Sequence, residues 1–124
     1  MIYLDTHAVV WLYAGLVEKF NQPIRDLMNE HDIAISPIVR LELQFLYEIH
    51  RVADDAGTIV ADLANRIGLT ISEENFIATT SRALEISWTR DPFNRLIVAN
   101  ASLDDSVLVS KDQSILSHYP FARW

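Results

Sequence analysis

The chain is expected to fold as an α/β protein, a three-layer α/β/α sandwich with a central parallel sheet of about four to five strands. Two observations lead there. Short apolar runs (IYLD, DIAIS, LTIS and SVLVS) alternate along 124 residues with longer stretches of helical character, the pattern that builds a parallel sheet through helical crossovers. Cap-then-proline dipeptides, Ser36-Pro37 and Asp91-Pro92, open two of those stretches as helices. With 50% hydrophobic residues, 22% charged and no repeat or low-complexity tract, the chain suits a single domain with one buried core, residues 1–124.

The elements follow in order. IYLD ends in an acid and reads as a buried strand, followed by a short helix over 7–14. A second helix is expected over 18–30, with Pro23 near its first turn. DIAIS (32–36) is the next strand, and Ser36 then caps a helix running to about Arg51. Asp54 or Asp55 caps another helix through Asn65, which Gly68 ends. LTIS (69–72) is a short strand, and residues 75–85 form a helix. Asp91-Pro92 starts a helix to about Leu103, SVLVS (106–110) is a clear strand, and FARW forms a last edge strand. In such sheets the functional crevice lies at the carboxyl ends of the strands. The residues there are Asp5-Thr6-His7, Ser36-Pro37, Ser72-Glu73-Glu74 and Ser110-Lys111-Asp112.

Composition narrows the chemistry. Cysteine is absent, which excludes disulfides and thiolate metal sites. No apolar run is long enough to span a bilayer and no basic-then-apolar leader opens the chain, so a cytoplasmic protein without membrane contact is expected. Seventeen acids against ten bases give a net charge of −7. Such a chain engages nucleic acid only where local basic residues or bound cations reverse the field.

The placement of the acids says more than their number. Asp5 ends the first strand, where it either caps the following helix or faces a site. On a wheel of about 100° per residue, Ile38, Phe45 and Ile49 mark the apolar face of the third helix and Glu42 points between them. A carboxylate there must be paired with an arginine, protonated or bound to metal. Asp112 follows SVLVS beside Ser110 and Lys111, and Asp91 opens the helix of TRDPFNRLIVANA (89–101); both are also natural caps. Carboxylates gathered at one sheet edge repel, and a hard dication with oxygen ligands removes that penalty. His7, His31, His50 and His118 show no zinc spacing, so an Mg²⁺ or Mn²⁺ site is the best chemical reading. Phospho-receiver domains need an acceptor Asp ending a central strand, and dehalogenase-like phosphatases need D-x-D after the first strand. Neither pattern is present.

IYLDTHAVVW, SPIVRLELQFL, TRDPFNRLIVANA and VLVSKDQSI, taken in order across nearly the whole chain, resemble the PIN-domain family, in particular its VapC-type toxins. The resemblance implies a parallel α/β sheet, Mg²⁺- or Mn²⁺-dependent endoribonuclease activity leaving a 3′-hydroxyl and a 5′-phosphate, a VapB-type antitoxin and a homodimer. It makes Asp5, Glu42 and Asp112 the first, second and fourth acids of the family quartet, with Ser110 as a small hydroxyl beside the fourth and Thr6 as a further supporting hydroxyl. Close relatives open the late helix DPFDR; here the metal-facing position is Asn94. Asn offers a carbonyl oxygen without charge, a poorer ligand for a hard cation. Either Asp91, one turn earlier, supplies the charge, or the domain is weak or inactive, or the substitution was introduced. The alternative function is a PIN scaffold without catalysis that binds RNA or protein. Arg90, Arg95 and Lys111 are the expected phosphate contacts. Trp11, Leu12 and Tyr13 with Phe45, Leu46 and Tyr47 exceed one buried stripe and are the expected material for a dimer or antitoxin surface.

Overall fold

The strands in the computed structural model, which describes residues 1–124, are β1 (Ile2–Leu4), β2 (Ile33–Ile35), β3 (Thr70–Ile71), β4 (Val107–Val109) and β5 (Ala122–Arg123). They form one five-stranded sheet in the order β3-β2-β1-β4-β5, with every neighbouring pair parallel. The three inner strands are buried on both faces, which is why they read as continuous apolar runs rather than alternating ones. Leu4, Ile35, Leu108 and Val109 are all fully enclosed. Seven helices flank the sheet: α1 (Thr6–Tyr13), α2 (Gln22–Glu30), α3 (Pro37–Glu48), α4 (Ala56–Ile67), α5 (Phe76–Leu84), α6 (Pro92–Ser102) and α7 (Gln113–His118). α1, α3 and α4 pack on one another, and α5 packs along α6, which also meets α3. This is the expected α/β/α sandwich. No helix is long and apolar enough to cross a membrane.

Capping explains most boundaries. Asp5, Asn21, Ser36, Asp55, Asn75, Asp91 and Asp112 each turn a side-chain oxygen onto an amide of the first turn that follows. Of the two expected caps for α4, Asp55 takes the role, accepting from Thr58 N at 2.8 Å. Gly68 ends that helix in the left-handed conformation at φ 73°, where a side chain would be strained.

Three expectations need correction. The helix expected over 18–30 is divided: Val17–Lys19 form a 3₁₀ turn, and α2 begins only after Asn21. Phe20 between them is extended and 1% exposed; drawing this ring into the core pulls the chain out of helix. α3 stops at Glu48 because His50 adopts φ 62° and the Arg51 amide returns to the Leu46 carbonyl at 2.8 Å. The buried face of α3 is Val39 and Leu43, not Ile38, Phe45 and Ile49; Phe45 and Ile49 are 46% and 44% exposed. Apolar residues occupy most of the circumference of this helix, so a wheel cannot select the stripe that meets the sheet.

Candidate active site

The chain winds outward from β1 through β2 to β3, then crosses back to β4 on the other side of β1. The carboxyl ends of β1 and β4 therefore flank the switch point, where an open parallel sheet leaves a crevice. Leu4 pairs with Val109 as the last register step, and the Asp5 amide donates to the Val109 carbonyl at 3.1 Å. Asp5 and Ser110 thus lie one residue beyond the paired strands. The Ser110 hydroxyl accepts from the Asp112 amide at 3.1 Å and lies close enough to Asp5 to favour its ionised carboxylate.

A cleft of about 340 Å³ opens there, lined by Asp5, Thr6, His7, Trp11, Glu42, Asp91, Asn94, Lys111 and Asp112. The three aspartates of this cleft are all helix caps. Asp5 Oδ1 accepts from Ala8 N at 2.9 Å, Asp91 Oδ1 from Phe93 N at 2.8 Å and Asp112 Oδ1 from Ile115 N at 3.0 Å. Each aspartate uses one oxygen as a cap, and the second oxygen of Asp112 accepts from Asn94 Nδ2. Larger depressions exist elsewhere, but only this one gathers acids from four segments distant in sequence.

Glu42 is half-buried on the flank of α3, beside the Val39–Leu43 stripe. The arginine partner considered for it is absent: the side-chain salt bridges are Arg66–Asp62 and Arg82–Glu85. Instead the Thr6 hydroxyl donates to Glu42 Oε1. Burial pushes the Glu42 carboxyl up, the Thr6 bond pulls it down, and Asp91 and Asp5 add repulsion. Asp5, 6% exposed, is also pushed up, chiefly by burial, with Ser110 and the Ala8 amide opposing and Asp112 adding to the rise. A buried and a half-buried acid without a basic partner are an unfavourable arrangement for the protein alone.

Asn94 sits half-buried on the first turn of α6, and its Nδ2 donates to Asp112 Oδ2 at 3.5 Å. Asp91 lines the same cleft from a more exposed position. As placed, no three acidic or histidine side chains approach closely enough to hold a metal ion between them; they ring the cleft instead. The donor chemistry nevertheless fits a hard dication: carboxylate and amide oxygens, with no thiolate and no competing salt bridge.

Of the three cations expected at phosphate, Lys111 lines the cleft and the arginines do not. Arg95 points towards α5 and donates to the Ala83 carbonyl at 3.1 and 3.2 Å. Arg90 donates to the Ser87 carbonyl at 3.0 Å, and both arginines line a separate shallow depression. Position 95 lies about 100° around the helix from position 94, so a side chain next in sequence to the site turns away from it. Ser72, Glu73 and Glu74 also lie apart, in a cleft with Met1, Tyr3 and Asp104. His7 was expected at the carboxyl end of the first strand without a role and Trp11 only as interface material; adjacency to Asp5-Thr6 and one further helical turn are the signals that bring both to the cleft.

Residues 2–122 match the family described as PIN domain. The chain belongs to the PIN-domain family. This PIN domain is 28% identical over 122 residues to ribonuclease VapC22 of Mycobacterium tuberculosis, covering 94% of this chain and 91% of the relative. Its fold resembles VapBC2 from Rickettsia felis, solved bound to a DNA fragment from its promoter, at a TM-score of 0.69 and 20% identity, covering 100% of this chain and 99% of that one. It also resembles a toxin-antitoxin complex from Klebsiella pneumoniae at a TM-score of 0.64 and 13% identity, covering 100% and 97%.

Proposed function

We propose that this PIN domain is an Mg²⁺- or Mn²⁺-dependent endoribonuclease of the VapC toxin type, hydrolysing RNA phosphodiesters to a 3′-hydroxyl and a 5′-phosphate. The carrying observation is the convergence of Asp5, Glu42, Asp91, Asn94 and Asp112 on one cleft at the switch point, without basic partners for the acids. The similarity to a ribonuclease supports the reaction, and the toxin-antitoxin neighbours support a VapB-type antitoxin as partner. Asp5, Glu42 and Asp112 would hold the cation, completed by Asn94 or Asp91. When bound, it would supply a Lewis acid that polarises a phosphoryl oxygen and lowers the pKa of water.

The protein's own groups do the positioning. Thr6 orients Glu42, and Ser110 ties Asp5 to the Asp112 backbone. Lys111 offers a positive charge to a phosphate at the cleft rim. Glu42→Gln is nearly isosteric and keeps a partner for the Thr6 hydroxyl, so the fold survives while the charge is lost. Cleavage of a mixed RNA pool with Mn²⁺ is expected to fall about 10²- to 10³-fold, the equivalent of roughly 3–4 kcal/mol. EDTA should abolish wild-type cleavage, and EDTA-resistant cleavage would remove the metal from the reading.

Asn94 favours a second reading, a PIN scaffold that binds RNA or protein without cutting. Assembly as a homodimer is part of either reading. Of the six residues expected to form its surface, Trp11, Leu12 and Tyr13 are half-buried against the core and Leu46 is half-buried, whereas Phe45 and Tyr47 are exposed. Ile77 and Leu84 of α5, 75% and 79% exposed, add apolar surface of the kind that marks an interface. Light scattering at micromolar concentration is expected to give twice the 14.2 kDa chain mass; a monomer would refute the dimer.

A further inference from the structure

Beside the acid cleft, segments distant in sequence bring basic and aromatic residues together. Lys19 Nζ lies 5.3 Å from the Trp11 ring centroid and Lys111 Nζ 5.8 Å from it. Lys111 is also 5.9 Å from the centroid of Trp124, whose ring meets Trp11 edge-on at 5.3 Å. The buried Phe20 ring backs both indoles, and the exposed His7 lies 6.1 Å from Trp11 on the cleft side. His7, Trp11 and Lys111 line the cleft itself, so cleft and strip are continuous.

The chain carries a net charge of −7, yet neither of these lysines is spent in a salt bridge. Ring contacts instead hold both ammonium groups beside the cleft of Asp5, Glu42, Asp91 and Asp112. Alternating cations and aromatic rings are the two components of a sequence-tolerant single-strand site. The cations track the backbone and the rings receive unstacked bases. A duplex keeps its bases stacked inside and cannot present them to an indole.

We propose that Lys19, Trp11, Lys111 and Trp124 form a binding track for single-stranded RNA, holding the nucleotides next to the one in the acid cleft. The track takes its direction from the ribonuclease reading of that cleft. Anisotropy of a labelled oligouridylate of about 12 nucleotides, a length matched to single-strand site sizes, tests it in EDTA, where nothing is cut. Wild type is expected to bind with quenching of tryptophan fluorescence. Lys19→Gln should weaken binding severalfold and flatten the slope of log K against log salt by about 0.7, the loss of one single-strand phosphate contact. Lys19→Arg should retain the slope. Arg51→Gln removes the same charge from an exposed residue outside the track and should leave the slope as in wild type. Equal effects of Lys19→Gln and Arg51→Gln, or no binding by folded wild type, would overturn the track. A wild type that binds through Lys19 but cuts nothing with Mn²⁺ keeps the track and removes the nuclease. One that cuts RNA without any dependence on Lys19 does the reverse.

Discussion

Asn94→Asp is expected to raise Mn²⁺ affinity at least about tenfold, roughly 1.4 kcal/mol, and to raise RNA cleavage about 10- to 100-fold. Asn94 now touches Asp112 through a long N–H contact of 3.5 Å. Aspartate in its place turns that contact into repulsion between two carboxylates. The metal-free variant should therefore melt lower, by about 1 kcal/mol or some 3–6 °C for a domain of this size. Adding the cation reverses the order, because a ligand bound only by the folded state stabilises by RT ln(1 + [L]/Kd), about 2.7 kcal/mol at a hundredfold excess over Kd. Calorimetry and melting with and without Mn²⁺ measure both halves. Equal affinity in the two proteins would place position 94 outside the coordination shell and shift the role to Asp91. Cleavage by the aspartate form alone would identify the present chain as a disarmed nuclease. If both forms bind RNA and neither cuts it, the scaffold reading stands instead.

The second large effect is at Asp5. Asp5→Asn keeps a cap for α1, since Asn accepts from the Ala8 amide as well as Asp does, but it removes a buried charge. Cleavage should fall by about 10²- to 10³-fold while the metal-free protein gains stability at pH 7, on the order of 1–3 kcal/mol. Because burial raises the Asp5 carboxyl, the folded state binds the proton at a higher pH than the unfolded chain does. Wild-type stability therefore falls as pH rises from the ordinary carboxylate range through the raised value. Asn does not titrate, so the variant's advantage is full at neutral pH and shrinks towards zero as both folded and unfolded Asp5 become protonated. Glu42 contributes in the same direction, also chiefly through burial. Thermal melts of the two proteins across pH would show the gap closing in acid, and saturating Mn²⁺ should close it at neutral pH by stabilising wild type alone. A variant less stable than wild type at pH 7 would mean that the ionised carboxylate stabilises the fold without metal.

Much of this was legible before any coordinates. Residue types at element boundaries carry short-range signals: Asp91-Pro92 and Ser36-Pro37 start helices, and Gly68 ends one, through bonds and dihedrals within one turn. Strand ends are equally local, which is why Asp5 and Asp112 could be placed at the sheet's carboxyl edge. Glu42 is the exception, because the helical wheel misplaces the buried face of α3. It belongs to the cleft because it flanks the buried stripe, not because it lies within it.

By itself, then, the amino-acid order determined the alternation of elements, their caps and the aspartates at the strand and helix ends. Tertiary structure alone decided which way each helix is rotated. It buried Val39 and Leu43, turned Arg95 onto the Ala83 carbonyl, and drew Phe20 into the core so that α2 starts late. It also brought Lys111 and Trp124 to Trp11 across most of the chain. The reason is one of range. Caps and turns are settled by neighbours in sequence, whereas helix rotation and long-range contact are settled by burying the most apolar surface against one shared sheet.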